Sequence, residues 1–268
     1  MPFTISHIAA TVPFARRLKT ARVLSAAIIG TMLPDADLLS PIDLDRAVTH
    51  SASALLTFVL PVGLSLWFLF QRLIRPALLE VLPDSWYARA RAEEDAPVLE
   101  DLDQWLTAAV ALLAGAATHL LWDAFTHENG AAVRLLPLLL RSSRVGGLEF
   151  HRFEWLQHLS SLLGLAVLAP VVIGWIRTAR ERYREQPVRA LPARERALWV
   201  MLYLLGPTVC VLREALGMLL EGQPRILSVD CLANLAIVGM TSSVGSLFIL
   251  SVLLRLRVTR LASVSVSA

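Results

Sequence analysis

Three residues of types that commonly bind metal ions follow one another at steps of four: His119, Asp123 and His127, in Ala-Thr-His-Leu-Leu-Trp-Asp-Ala-Phe-Thr-His. On an α-helix this spacing places the three side chains on one stripe, each about one turn from the next. Imidazole and carboxylate are ligands that zinc and similar divalent ions prefer. The triplet therefore favours a divalent metal site, most simply for zinc. Alternatively, Asp123 and His127 mark the end of a membrane span, and His119 is a single histidine hydrogen-bonded inside a helix bundle.

Shorter motifs elsewhere contain further candidate ligands. Pro34-Asp35-Ala36-Asp37 carries two carboxylates, of which we expect one to bind metal, and either could act as a general base. The alternative for this pair is a turn or the N-cap of a helix. His50 precedes a long apolar block and could equally be an interfacial histidine, and His7 alone is uninformative. His158 lies within an apolar block, where an unpaired polar group is costly.

The elements that must position these residues are membrane spans. The chain is 56% hydrophobic and only 18% charged, whereas roughly a quarter of the residues of a soluble domain are charged. The charged residues crowd between long apolar blocks, as expected when lipid surrounds the blocks. Each of five blocks reaches the roughly 20 residues that cross a hydrocarbon core. The blocks lie near residues 51–71, 104–122, 155–176, 197–220 and 231–254.

We therefore predict an all-α, polytopic transmembrane helix bundle of about five spans, forming one membrane domain over residues 1–268. Residues 1–50 form an N-terminal region that contains a short apolar helix at 21–33, which Pro34 ends. This helix is too short to span, so we expect it to be interfacial or re-entrant. We expect no secretory signal peptide. Cys210 and Cys231 have no metal-type spacing, and the loop arginines carry no aromatic-interleaved pattern typical of nucleic-acid binding.

An odd number of spans gathers the candidate ligands at one membrane face. If residues before the first span lie on side A, the end of the second span and the start of the third also lie there. All six histidines precede residue 160 and fall on this side. Side A carries ten Lys and Arg residues and side B fourteen. The positive-inside rule therefore places the site on the extracytoplasmic face of the plasma (inner) membrane.

Several of these motifs, in the same order, resemble a family of bacterial membrane proteins, domain-of-unknown-function family 4184. The resemblance covers most of residues 1–180. It rests on the following stretches: Met-Pro-Phe-Thr-Ile-Ser-His-Ile-Ala-Ala, the Pro-Asp of Leu-Pro-Asp-Ala-Asp, Thr-His-Ser, Thr-His-Leu-Leu-Trp-Asp-Ala-Phe-Thr-His and Leu-Gln-His-Leu-Ser-Ser-Leu-Leu-Gly.

The order of histidines and aspartates is also similar, more distantly, to inner-membrane metal-dependent hydrolases and zinc-dependent phospholipases C. That resemblance implies that Asp123 bridges two ions. The residues it implies as metal ligands are His7, Asp35, His50, His119, Asp123 and His127. The chain departs from the phospholipase pattern because it begins Met-Pro in place of a Trp ligand and has Leu162 where a late glutamate is expected. It therefore implies one or two ions in place of three.

The function predicted from these residues is metal-dependent hydrolysis of a phosphoester, or another ester, of an amphiphilic substrate at the membrane face. The partners expected are the lipid bilayer and a lipid-linked substrate, with no nucleic acid. A non-catalytic, metal-stabilised membrane scaffold or interaction subunit is the first alternative. Transport is a second alternative, with Arg213 and Glu214 in the fourth span as part of a pathway.

Overall fold

The computed structural model describes residues 4–15, 21–39, 44–92, 101–145, 148–183, 189–220 and 228–266. These residues are almost entirely helical. Five helical stretches are long and apolar enough to cross a membrane, which confirms the predicted fold class. They are Leu55–Val81, Leu102–Leu135, Arg152–Arg182, Ala193–Leu220 and Cys231–Leu261. The chain is thus a multi-pass membrane protein.

The elements follow one another along the chain. The N-terminal region holds a 3-10 helix at Thr4–Phe14 (the N-terminal 3-10 helix), α1 (Ala21–Met32), a 3-10 turn at Leu33–Asp35, α2 (Ala36–Leu39) and α3 (Arg46–His50). The first span comprises a π-helical turn at Leu55–Val59, α4 (Leu60–Leu69), a second π-helical turn at Phe70–Ile74 and α5 (Arg75–Val81). Then come α6 (Asp84–Ala92), α7 (Leu102–Thr126), α8 (Ala131–Leu135), α9 (Arg152–Arg182), α10 (Ala193–Leu220) and α11 (Val229–Val266). Between α8 and α9, strands β1 (Ser142–Val145) and β2 (Leu148–His151) form an antiparallel hairpin, with Ser142 opposite His151.

The chain divides into two compact units, of which the first comprises Met1–Ala36, Leu44–Phe68 and Glu93–Glu181. Its core is the contact between α1 and the span α7. Small residues bring the two backbones together: a Cβ atom on Gly30 would lie 2.0 Å from the carbonyl oxygen of Leu112, and one on Gly115 would lie 2.2 Å from that of Ala27. Around this contact the buried core residues are Ala26, Ala27, Leu33, Val59, Trp67, Ala108, Ala111, Leu112 and Ala116.

The contacts of α1 also show its direction. Near its start, Arg22 is buried and its Nη1 lies 3.4 Å from Oε1 of Gln104, close to the beginning of α7. Near its end, the carbonyl oxygen of Thr31 lies 2.7 Å from Nδ1 of His119. Helix α1 thus runs alongside α7 in the same direction, which agrees with the re-entrant alternative. Arg22 accordingly lies beside the start of α7.

The second unit comprises Asp37–Asp43, Leu69–Ala92 and Arg182–Ala268. In it, α10 pairs with α11, and Tyr203 and Ser251 share a hydrogen bond of 3.2 Å between these helices. Arg189 closes the carboxyl end of α5, where Nη2 donates to the carbonyl oxygens of Leu79, Glu80 and Leu82 at 2.7 to 3.3 Å. A guanidinium in this position satisfies carbonyls that a helix end leaves without an internal partner.

Candidate metal centre

Two buried carboxylates form the middle of the candidate centre. Asp35 ends the 3-10 turn that follows α1, because Pro34 cannot continue the hydrogen-bond ladder of that helix. Asp123 lies one turn before the end of α7. Their exposed fractions are 4% and 7%. Buried carboxylates are costly unless cations or hydrogen-bond donors surround them, so the groups around this pair decide its chemistry.

Two histidines lie between the carboxylates. Nε2 of His119 is 3.5 Å from Oδ1 of Asp35 and 3.4 Å from Oδ2 of Asp123. Nε2 of His50 is 3.5 Å from the same two oxygens. The ligand atoms of all four residues lie within 4.8 Å of one another. Two ligands bound tetrahedrally to zinc at 2.0–2.1 Å are separated by about 3.3 Å, so the histidine–aspartate distances match atoms that share one ion.

Two further histidines contact Asp123. Nε2 of His7, in the N-terminal 3-10 helix, lies 3.8 Å from Oδ1 of Asp123, and its ring stacks on that of His119 at 3.9 Å. His127 caps the end of α7, and its Nδ1 lies 3.5 Å from Oδ2 of Asp123. Asp123 therefore has histidines on both of its oxygens, as a carboxylate that bridges two ions would require.

Hydrogen bonds behind the cluster orient the histidines. Nδ1 of His119 lies 2.7 Å from the carbonyl oxygen of Thr31, which can only accept, so Nδ1 carries the proton. The hydroxyl of Thr49 donates to the carbonyl oxygen of Arg46 and therefore accepts from Nδ1 of His50 at 2.8 Å. Both rings then present an Nε2 lone pair to the carboxylates. Such outer partners typically fix the tautomer of metal-binding histidines.

Several buried polar atoms of the centre have no hydrogen-bond partner among the described residues. They are Nε2 of His7, His50, His119 and His127, together with Oδ1 of Asp123. Leaving a buried polar group unsatisfied costs about 1–3 kcal/mol each, and five such atoms at one place would be a large penalty. A divalent ion bound there would accept the imidazole and carboxylate lone pairs and so remove this penalty. The cluster could therefore hold a metal ion.

The charges of the centre also favour a bound cation. Burial by itself raises the pKa of Asp35, but the imidazoles of His119 and His50, 3.5 Å from its Oδ1, and the hydrogen bond from Thr4 hold it well below its usual range. Burial lowers the pKa of His50, yet the neighbouring carboxylates of Asp123 and Asp35 outweigh burial and the pKa is raised. The carboxylates therefore attract a positive charge at the position of His50 Nε2, which a metal ion would supply in place of the proton. Burial lowers the pKa of His7 to about 4, so this ring is neutral and able to bind metal at pH 7.

The structure gathers most, but not all, of the predicted site residues. His158 is exposed, and its ring lies 6.5 Å from that of Phe150. Gln157 is the buried residue at this point of α9, and the next side chain lies about 100° further round the helix. The structure therefore does not place His158 among the ligands. Asp37 belongs to the second compact unit, and its role stays a prediction.

Arg46 and Thr4 belong to the centre but were not predicted from the sequence. Nη2 of Arg46 lies 3.1 Å from Oδ2 of Asp123, and Nη1 lies 3.9 Å from Oδ1 of Asp35. The hydroxyl of Thr4 donates to Oδ2 of Asp35 at 2.7 Å. Arg46 is four residues before His50 on α3, so helical spacing alone was a usable signal for it. Thr4 lies in the first stretch that carries the family resemblance, but nothing in the sequence indicates its contact with Asp35, 31 residues further on.

A cavity of about 630 Å³, here the first cavity, opens on the centre. His50, Asp123 and His127 line it from the centre, and Arg46 and Arg134 add two guanidinium groups. The rest of its wall is mostly Ala and Leu. A polar end beside an apolar wall suits an amphiphilic molecule with an anionic group.

The spans and the aspartate–histidine cluster together define a polytopic α-helical membrane protein with a candidate metal centre at the end of its second span. The chain belongs to the family described as Domain of unknown function (DUF4184), whose model matches residues 1–260. No curated protein and no solved structure matches the chain.

Proposed function

We propose that this protein is a metal-dependent hydrolase of the membrane that cleaves a phosphoester of an amphiphilic lipid. The observation that carries the proposal is the first cavity, which reaches His50, His127 and Asp123 directly. A structural zinc site is closed by its four protein ligands, whereas a catalytic site keeps a position open to water or substrate. A cluster that faces a cavity of this size fits the catalytic arrangement.

The metal-binding side chains of the centre can be assigned to two ion positions. Asp35, His50, His119 and Asp123 would hold one divalent ion, most simply zinc, with His127 beside the same oxygen of Asp123, and His7 would serve a second ion at the other oxygen. Such ions supply an activated water at neutral pH and stabilise negative charge on a phosphoryl oxygen. Asp35 has contacts on both oxygens, so we assign it to metal binding in preference to the general-base role.

Two arginines at the first cavity are suited to binding the phosphate group of a substrate. Guanidinium groups bind phosphate through paired, charge-assisted hydrogen bonds. Arg46 reaches both central carboxylates and also lines the cavity, so it connects the centre with any anion bound there. Arg134 lines the same cavity from α8. These residues would hold and orient a phosphoester head beside Asp123.

Hydrolysis is tested with purified, zinc-loaded protein and a panel of phospholipids, lipid pyrophosphates and generic phosphodiesters. We expect turnover that a chelator abolishes, and a loss of at least about 100-fold in Asp123→Asn, because the amide cannot replace a bridging carboxylate. Asp103→Asn changes an exposed carboxylate at the start of the same helix and should behave as wild type. If loaded wild type and Asp123→Asn are equally inactive on every substrate, the metal-stabilised scaffold is the better explanation.

The orientation of the centre is a second part of the proposal. We place it on the extracytoplasmic face, because side B carries more Lys and Arg residues than side A, and the positive-inside rule then puts side B in the cytoplasm. Single cysteines at Ser143, in the hairpin, and at Arg194, at the start of α10, test this in a background without Cys210 and Cys231. Both positions are exposed. An impermeant thiol reagent should label position 143 on intact cells and spare position 194; the reverse pattern would place the centre in the cytoplasm.

A further inference from the structure

A second cavity, of about 470 Å³, adjoins the candidate metal centre. It lies between the N-terminal 3-10 helix, α7 and α9. Leu121 lines both cavities, so the two are neighbours. His7 also lines the second cavity, while its Nε2 lies 3.8 Å from Oδ1 of Asp123. A molecule bound at the centre could thus extend into either space.

The wall of the second cavity offers hydrocarbon contact. Most of its lining is apolar, including Ala9, Ala10, Val12, Pro13, Leu163 and Val167. Its other side chains include three polar groups that bond within the wall. The hydroxyl of Thr118 donates to the carbonyl oxygen of Gly115 at 2.7 Å, the indole N–H of Trp122 donates to Oγ of Ser160 at 3.1 Å, and Ser160 donates to the carbonyl oxygen of Gln157 at 3.0 Å. Their donors are therefore engaged, and apolar contact dominates what remains for a ligand.

The rim of the second cavity is open to the surroundings of the spans. Leu121 on α7 and Leu163 on α9 are each 65% exposed. Exposed leucines on helices of this length and composition face the hydrocarbon of the bilayer. A lipid chain could therefore enter the cavity sideways without leaving an apolar environment.

We propose that the second cavity binds the hydrocarbon chain of the substrate lipid, whose anionic phosphoester head lies in the first cavity beside Arg46 and Arg134. This inference rests on the proposed function and names its substrate class, a long-chain lipid with a phosphate-type head. The two spaces match the two parts of such a molecule. The first space adds guanidinium groups and part of the centre to its apolar wall, and the second is lined mostly by apolar groups.

A photoactivatable probe tests the site without any turnover. The probe is a long-chain alkyl phosphonate with a diazirine near the end of its chain, added to the zinc-loaded, full-length protein in bilayer nanodiscs. After irradiation, peptide mapping should find the label concentrated at residues 9–13 and 163–167. Ala10→Phe should reduce this labelling by about fivefold or more, because the ring displaces chain methylenes that contribute to binding. Val167→Phe, at the rim, should reduce it as well, and provides a second variant if the first fails to fold.

Two comparisons make the result decisive. Ala169→Phe alters an exposed position of α9 outside the cavity and should leave the labelling unchanged. A phosphocholine probe with the same chain should label these peptides far less, since its zwitterionic head suits the arginines poorly. Equal labelling by the two probes, or labelling that both cavity variants leave intact, would overturn the proposal. Labelling as expected without hydrolysis would instead overturn the proposed function and leave a lipid-binding cavity.

Discussion

Replacing His119 by alanine will remove most of the divalent metal from the purified protein. Wild-type protein isolated in mild detergent should carry at least one ion per chain, most simply zinc, when measured by elemental mass spectrometry. His119 is fully buried, and its Nε2 lies within 3.5 Å of both central carboxylates. Loss of even an outer-shell partner typically weakens metal binding by 10–100-fold, so loss of this ligand should weaken it by about 100-fold or more.

His158→Ala is the matched control for this measurement. His158 is an exposed histidine on α9 that the structure places outside the centre, so its replacement should leave the metal content unchanged. Equal loss of metal from both variants would show that the metal is held non-specifically. Wild-type protein that carries no metal and cannot be loaded with zinc would refute both the hydrolase and the metal-stabilised scaffold.

Gly115→Ala is expected to damage the centre from a distance. The added Cβ would lie 2.2 Å from the carbonyl oxygen of Ala27, so α1 must move away from α7. That movement displaces both the Thr31 carbonyl, which holds His119, and Asp35, which follows α1 directly. Overpacking of this kind costs about 1–3 kcal/mol of unfolding free energy. We expect a lower Tm in detergent together with a lower metal content.

Gly217→Ala is the control for the glycine substitution. A Cβ at Gly217, in α10, would meet no atom within 4 Å. Alanine also has the higher helix propensity, by up to about 1 kcal/mol, so Tm and metal content should be equal to or slightly above those of wild type. If Gly115→Ala behaves in the same way, close contact between α1 and α7 does not maintain the centre.

The spans and the triplet could be predicted from the sequence because both depend on local pattern. Lipid excludes charge, so uncharged blocks of about 20 residues identify spans directly. The steps of four from His119 to His127 fix the relation of those side chains once the segment is helical. Proline after 21–33 likewise ends α1, and this places Asp35 just beyond a helix.

The features that could not be predicted from the sequence depend on contacts between distant segments. Whether Gln157 or His158 turns inward is decided by the rotation of α9 against its neighbours, which the apolar middle of its sequence does not specify. The close packing of α1 along α7 depends on Gly30 and Gly115, and the direction of α1 places Arg22 beside Gln104. Thr4 reaches Asp35 only because the N-terminal 3-10 helix returns to the centre.

Arg189 has a consequence for how the chain is made. Its guanidinium completes the carboxyl end of α5, the last helix of the first span, yet it is separated from Leu79 by 110 residues. A ribosome must therefore synthesise the second and third spans before the first span obtains this partner. Until then the carbonyl oxygens of Glu80 and Leu82 need other partners such as water, whereas that of Leu79 also accepts from the amide of Leu82. The first span enters the membrane first, yet its carboxyl end is completed late in biogenesis.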